Sequence, residues 1–541
     1  MMTCGEATMH LLAAYGVTTA FGIPGVHTLD MCRGLSDGQN GGPIRHIRAR
    51  NEQGAGFMAE GWARATGEVG VAIVISGPGV TNAATALGQC YADSLPMLLI
   101  SAEPPTDTIG KGWGVLHEIN HQKHVTAPLC AFSETATCAE DVPILMARAF
   151  AVFRSGRPRP CHISIPTDVQ AELVHDYWEP VAEPPRPVAD AQDMDRAAKL
   201  IETSTRPVLY LGGGAIGAAS EIRELVNRLG CPVFVTTAGK GIIPDDHPLS
   251  INVTALTFGA KAILSGADLM LVIGSEMAET DHFLGEPDYS MPIIRIDIDQ
   301  SKLNDRFPAR IAIASDAQYA VSRLLEQLPI TQRNKSTNKS MIAGAHAERM
   351  GQLSFKERQH VALLDLMKSA APSGTIWCGE PCQLVYTGTS HMQVSDPRSW
   401  FYPVGFCALG NAVPNAIGAK TAYPGRPIVA LVGDGGFMFS MPEIMTAVDQ
   451  KMPLPIVLWD NSALQQIKDG QEEMGIPAVG VDGANPDFAA LAIACKCHAA
   501  TPSNKTDFLD AFGAAFEGDR PTIIVIQEDD AWLCIDESVQ A

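Results

Sequence analysis

A chain of 541 residues is long enough for three to four domains of about 150 residues each. Its 46% hydrophobic and 18% charged residues, with 49 Gly and 37 Pro, are a globular composition and exclude a disordered, collagenous or coiled-coil protein. The 60 acidic residues against 39 basic ones leave a net charge of −21, and no local basic stripe offsets that field, so a nucleic acid is not expected as a partner. The opening MMTCGEATMHLLAAYG has neither the basic start nor the long apolar run of a secretory signal, and no stretch reaches 18 uninterrupted apolar residues. The expectation is a cytoplasmic protein with no membrane partner. Thirteen scattered cysteines, with Cys378/Cys382 and Cys495/Cys497 lacking zinc-site spacing, read as reduced thiols.

In chain order, short apolar runs rich in β-branched residues appear at 71–76 (VAIVIS), 96–102 (PMLLISA), 206–214 (RPVLYLGGG), 268–275 (DLMLVIGS), 293–299 (IIRIDID), 427–436 (PIVALVGDGG), 454–461 (LPIVLWDN) and 522–528 (TIIVIQE). Helical patterns separate them. Strand-then-helix alternation with nearly continuous apolar strands predicts α/β architecture, with parallel sheets covered on both faces. Two seams divide the chain. The Pro-rich 176–192 (DYWEPVAEPPRPVADAQ) cannot sustain a helix or central strand, and 331–349 is polar and weakly patterned, so both are expected to be linkers. Three doubly wound domains are therefore expected, at 1–175, 190–330 and 350–541. In such sheets ligands bind beyond the carboxyl ends of the strands.

The sharpest local signal is PIVALVGDGGFMFSMPEIMTAVDQKMPLPIVLWDN. One apolar strand ends in Gly433, Asp434, Gly435 and Gly436, a helix follows, and a second strand ends about 27 residues after Asp434 in Asp460 and Asn461. Both polar tips fall on one edge of the sheet. Glycines let backbone approach an anion, and a carboxylate with an amide oxygen suits a hard cation shared with a diphosphate. Taken alone, GDGG is equally a tight turn with Asp434 as a helix cap, and Asn461 the start of another turn.

GDG followed by DN at this distance resembles the metal motif of thiamine diphosphate (ThDP) enzymes, which carry two Asn where Asp460 and Asn461 stand. FGIPGVH (21–27), RARNEQGAGFMAEGWARATG (48–67) and VAIVISGPGVTNAATALGQCYADSLPMLLISAEPP (71–105) resemble the pyrimidine-binding domain of the acetolactate synthase-like branch of that family. GRPRPCHISIPTDVQ (156–170), TTAGKGIIPDDHPLS (236–250) and GFCALGNAVPNAIGAK (405–420) extend the resemblance over essentially the whole chain. It implies three domains, binding pyrimidine, central and binding diphosphate with Mg²⁺. Glu52 would bond N1′ of the aminopyrimidine and so favour the ylide that is the cofactor's own nucleophile. Pro24, Gly25 and Asn82 would join Glu52 at the pyrimidine. Backbone from Cys407 to Leu409 would hold its other side, with Leu409 bending the cofactor; Leu409 also reads as simple core packing. Gly433, Gly435 and Gly436 would line the diphosphate, and Asp434, Asn461 and the Ala463 carbonyl would hold the metal. The two halves of each site come from different subunits in the family, which implies a homodimer and a homotetramer built from it.

The remaining motifs bear on the reaction. LHEINHQ (116–122) resembles the Phe-Gln-Glu segment of acetolactate synthases, with His117 in place of the Gln. An imidazole titrating near pH 6.5 can hand over a proton where an amide cannot, so His117, and His27 after its Pro-Gly turn, are candidate proton carriers. The wording FGIPGVHT, LHEINHQ, GSEMAETD (274–281) and IKDGQEEMGIP (467–477) most resembles the 5-guanidino-2-oxopentanoate decarboxylase branch. A guanidinium tail calls for a carboxylate, for which Glu118, Asp469, Glu472 and Glu473 are candidates. Asn51 stands where the family has His before the activating Glu, Asn411 where an aromatic or small residue is common, and residues 462–465 (SALQ) depart from the family's Asp-Gly-Tyr-Gly-like run. The expected activity is non-oxidative decarboxylation of a 2-oxo acid to an aldehyde and CO₂. The alternatives are acetolactate synthesis or another carboligation, a flavin-linked oxidase and a non-catalytic relative. GGGAIG (212–217) is only a partial dinucleotide loop, so FAD stays an open question.

Overall fold

The computed structural model describes residues 1–252, 258–281, 289–330 and 336–533. Contacts divide the chain into two units, one formed by Met1–Pro184, Trp377–Cys382 and Gly405–Asp529, the other by the remaining residues. Among the described residues no helix is long and apolar enough to cross a membrane, and every cysteine is a free thiol.

The first unit contains two parallel sheets. Across the N-terminal one the strands run Leu35–Ser36, Ile44–Arg48, Thr19–Gly22, Gly70–Val74, Met97–Glu103, Cys161–Pro166 and Phe132–Thr135. The other places Ile376–Gly379, Ile428–Gly433, Pro455–Asp460, Thr522–Gln527 and His498–Ala500 side by side. Gly70–Val74, Ile428–Gly433 and Pro455–Asp460 are buried at every position, which is why they read as continuous apolar runs. All strands of the N-terminal sheet are parallel, so the loops after Gly22, Arg48, Val74 and Glu103 share its carboxyl edge, and the turns after Gly433 and Asp460 share the edge of the other.

The two sheets are joined through helices Glu52–Thr66 and Ala412–Ala422. They meet at glycine: a Cβ on Gly418 would lie 2.0 Å from Met58 O, and one on Gly61 2.2 Å from Asn415 O. Backbone replaces side chains at this crossing. Gly418→Ala is therefore expected to cost about 3 kcal/mol through overpacking, read as a lower urea midpoint with unchanged slope.

The second unit is built on a parallel sheet in the order Ser250–Asn252, Val233–Val235, Pro207–Leu211, Leu269–Ile273, Ile293–Asp297 and Ile311–Ala314, the strand order of doubly wound dinucleotide-binding folds. Residues 177–190 carry no helix or strand, as their prolines require. The other expected linker differs: Ser336–Gly351 is a helix, burying Ile342, Ala345 and Arg349. Three residues at helical spacing suffice to anchor it, although the segment is otherwise polar.

Candidate active site

At the carboxyl edge of the N-terminal sheet, Glu52 is the first residue of helix Glu52–Thr66. Its N-cap is Asn51, whose Oδ1 accepts from Gln53 N at 2.8 Å, which gives the residue standing in place of the family's His a structural task. The half-buried Glu52 carboxylate accepts from Asn82 Nδ2 at 2.9 Å, so two expected site residues are in direct contact. Gly25 lies in the turn before His27, and a Cβ there would meet Ile75 Cγ2 at 2.4 Å, so the turn sits tight on the neighbouring loop; Pro24 beside it is exposed.

The structure brings His27 and His117 together, with ring centroids 5.1 Å apart at 73°. His27 Nδ1 is hydrogen-bonded to Ser76 Oγ at 2.5 Å, and Gln170 donates to the His27 carbonyl at 3.0 Å. Burial, and the neighbouring His117, hold the His27 pKa below the usual imidazole value. His117 has φ +63° and its Nδ1 is buried without a hydrogen-bond partner. Gly77, at φ +62°, leaves room for the His117 carbonyl, which a Cβ would approach to 2.5 Å.

Sequence reasoning passed over the side chain that ties these loops together. Gln122, 2% exposed, accepts from Gly77 N at 2.8 Å, and its Nε2 lies 2.7 Å from Ala102 O, 2.8 Å from Ser164 Oγ and 3.0 Å from Ser101 Oγ. Beyond it, fully buried His162 bonds Ser101, Thr126 and Ser133. A buried polar network with its members satisfied rigidifies the edge it underlies.

On the other sheet, Asp434 opens the helix after Gly433 and is 5% exposed; Asp460, also 5% exposed, ends the adjacent strand. Asn485 Nδ2 lies 2.7 Å from a carboxylate oxygen of each. Asp460 also accepts from Ser462 N at 3.1 Å and Gln527 Nε2 at 2.9 Å, so it is largely consumed by the chain itself. Asn461 Oδ1 accepts from Ala463 N at 3.3 Å, and Ser462 between them takes φ +53°. Burial, then the proximity of Asp460, raise the Asp434 pKa against the hydrogen bonds that lower it. Two buried carboxylates bridged by a neutral amide form no ion pair among the described residues. Asp434, with the Asn461 amide and the Ala463 carbonyl, offers oxygen donors of the hard kind that suits a divalent cation.

The segment 405–410 is held by three acceptors. Gly405 N donates to Asp93 at 3.0 Å, Ala408 N to Gln89 at 3.2 Å and Gly410 N to Glu380 at 2.9 Å. Cys407 is exposed with φ +54°, and Leu409 is half-buried. Glu380, fully buried, also accepts from Gly433 N at 3.1 Å, and a Cβ on Gly436 would meet its Oε1 at 2.3 Å, while Gly435 faces Leu464. Burial pushes its pKa up to about 8 in spite of those two amides. This carboxyl links the 405–410 segment to the GDGG turn, and no local motif announces it.

The four acids considered for a guanidinium separate. The Glu118 carboxylate accepts from Gly112 N, Gly114 N and Val115 N at 2.8, 2.7 and 3.2 Å, so it clamps its own glycine loop. Asp469, Glu472 and Glu473 lie on helix Gln465–Glu473, where Asp469 accepts from Gln465 at 2.6 Å and the two glutamates are exposed. In the second unit the Gly212–Gly214 loop packs onto Gly274, with Gly214 N donating to Gly274 O at 3.0 Å. The glycines there serve loop contact, as the partial motif allowed.

A closely packed glycine turn with a buried carboxylate at its strand end, beside a second polar strand tip at the carboxyl edge of a parallel sheet, is the kind of site at which α/β enzymes bind anionic ligands. The chain matches the family models for the thiamine pyrophosphate enzyme N-terminal TPP binding domain over residues 2–125, central domain over 194–328 and C-terminal TPP binding domain over 383–526. It is 42% identical to the probable 2-ketoarginine decarboxylase AruI of Pseudomonas aeruginosa, over 97% of this chain and 94% of that one. It is 31% identical to the acetolactate synthase isozyme 1 large subunit of Escherichia coli, over 89% and 86%. With the acetolactate synthase large subunit of Corynebacterium glutamicum it shares 30% identity, over 98% and 87%. The chain belongs to the thiamine pyrophosphate enzyme family.

Proposed function

We propose that this protein is a ThDP- and Mg²⁺-dependent enzyme that decarboxylates a 2-oxo acid to an aldehyde and CO₂, with 5-guanidino-2-oxopentanoate as its substrate. The observation that carries the decarboxylase reading is the His27 and His117 pair on the sheet edge that also carries Glu52. The 42% identity with a 2-ketoarginine decarboxylase supports the substrate. Bound ThDP supplies a nucleophilic carbon and a sink for the electrons left when CO₂ departs. Glu52 would hold a proton for the pyrimidine, with Pro24, Gly25, Asn82 and the backbone from Cys407 to Leu409 as the residues that would bind that ring. Asp434, Asn461 and Ala463 O would hold Mg²⁺, and Gly433, Gly435 and Gly436 would admit the diphosphate. His27 and His117 deliver the proton that completes the aldehyde. The domains are those at 1–175, 190–330 and 350–541, and the assembly is a cytoplasmic homodimer or homotetramer with shared sites and no catalytic need of FAD.

Carboligation is the second reading, supported by the acetolactate synthases at 30 to 31% identity. The test is product analysis with a panel of 2-oxo acids. Equimolar CO₂ and aldehyde, fastest from the guanidino acid, is expected; acetolactate as the main product from pyruvate would end the decarboxylase assignment.

The histidine pair also sets a pH dependence. A His27 pKa below 6.5 means that the protonated donor is present at low pH and is lost as pH rises through that depressed value. His117→Gln removes the repelling neighbour and leaves the burial, so the alkaline limb of kcat should move to higher pH. An unmoved limb would remove His27 from the proton step.

A further inference from the structure

Glu443 lies nine residues after Asp434, in the short turn Met441–Glu443, and is 1% exposed. Its carboxylate serves the N-terminal sheet. Oε1 accepts from Arg50 N at 3.0 Å and Asn51 N at 2.9 Å, and Oε2 accepts from Thr446 Oγ1 at 2.8 Å. Asn51 N is the amide of the residue immediately before Glu52. The neighbouring Asp449 binds the guanidinium groups of Arg48 and Arg50 at 2.9 and 2.5 Å. Gly54 is shaped to the same contact, because a Cβ there would fall 2.2 Å from Glu443 Oε1. A carboxylate at a helix N-terminus satisfies free amides and favours the helix dipole. Here it arrives from the diphosphate-side sheet, 392 residues along the chain from Asn51.

We propose that Glu443 is the positioning residue of Glu52: it fixes the backbone at Arg50 and Asn51 and so sets where the Glu52 carboxyl stands against the cofactor. The inference rests on the role given to Glu52 above. It makes Glu443 important to cofactor activation although it touches neither cofactor nor substrate. Displacement of a reacting group by about 1 Å costs up to about 100-fold in rate, so a change at Glu443 should appear in the chemistry before it appears in binding.

The test uses the full chain with ThDP and Mg²⁺ and reads deuterium exchange at the thiazolium C2 of the bound cofactor by NMR after acid quench. Glu443→Ala, which removes the acceptor of both backbone amides, is expected to slow exchange about 30-fold, with the ThDP Kd changed by less than about 3-fold and the loss in kcat rather than KM. Gly54→Ala, which keeps every charge and displaces the carboxylate sterically, should give the same pattern and serves if Glu443→Ala does not fold. Unchanged exchange in the folded variants, or loss only in proportion to weaker ThDP binding, overturns the proposal. Glu52→Gln run in parallel separates the two claims: undiminished exchange there would strike the role of Glu52 itself, whereas loss there with none in Glu443→Ala rejects the positioning role alone.

Discussion

Glu52→Gln should lower kcat by about 10³-fold while ThDP still binds, the scale of a lost general acid or base. The amide is nearly isosteric, and its oxygen can still accept from Asn82 Nδ2, the 2.9 Å contact made by the carboxylate. Helix Glu52–Thr66 keeps its Asn51 cap and its glycine crossing with Ala412–Ala422. What is lost is a group able to hold and release a proton. Steady-state rates with ThDP affinity measured on the same preparation separate chemistry from binding. Turnover within a few-fold of the parent enzyme would contradict the role.

Asp434→Asn should act in two opposite directions. With cofactor, loss of the anionic ligand should weaken Mg²⁺-dependent ThDP binding by at least about 100-fold, since even outer partners of metal ligands cost 10- to 100-fold. Without cofactor the substitution should stabilise the protein near neutral pH. Burial and Asp460 raise the pKa of Asp434 in the folded chain, so its contribution is favourable below the ordinary carboxylate range and is lost as pH rises through the raised value. The buried Asp434 carboxyl held beside Asp460 is a strain that an amide relieves. Thermal unfolding should show a higher apo midpoint and no rise on adding ThDP with Mg²⁺, whereas the parent should show the rise that ligand binding to the native state produces. A cofactor-induced shift equal to the parent's would remove Asp434 from the metal site.

The sequence disclosed what is local. Gly433 to Gly436 and Asp460 to Asn461 are legible because strand, turn and charge sit in one short run, and the eight apolar runs are buried strands because parallel sheets bury both faces. Glu52 was legible through resemblance, and the pairing of His27 with His117 only as two separate candidates. The supporting carboxylates and amides were not legible. Glu380 reaches Gly433 across 53 residues, Gln122 reaches Gly77 across 45, and Asn485 bridges two strand tips from a loop with no motif. Such side chains are chosen by tertiary proximity, which no periodicity encodes. Glu118 shows the converse: an acid suited to a guanidinium tail is taken by three backbone amides of a glycine loop whose Gly110, Gly112 and Gly114 all have positive φ. The helix Ser336–Gly351 escaped because only three of its residues face inward.

The most direct measurement is calorimetric titration of the protein with ThDP in millimolar Mg²⁺ and again with the metal chelated. Saturable uptake of one ThDP per chain that disappears on chelation is the result expected of a carboxylate-held divalent ion bearing a diphosphate. Absence of uptake in the presence of Mg²⁺, or equal uptake without it, would contradict the site assigned to Asp434, Asn461 and Ala463.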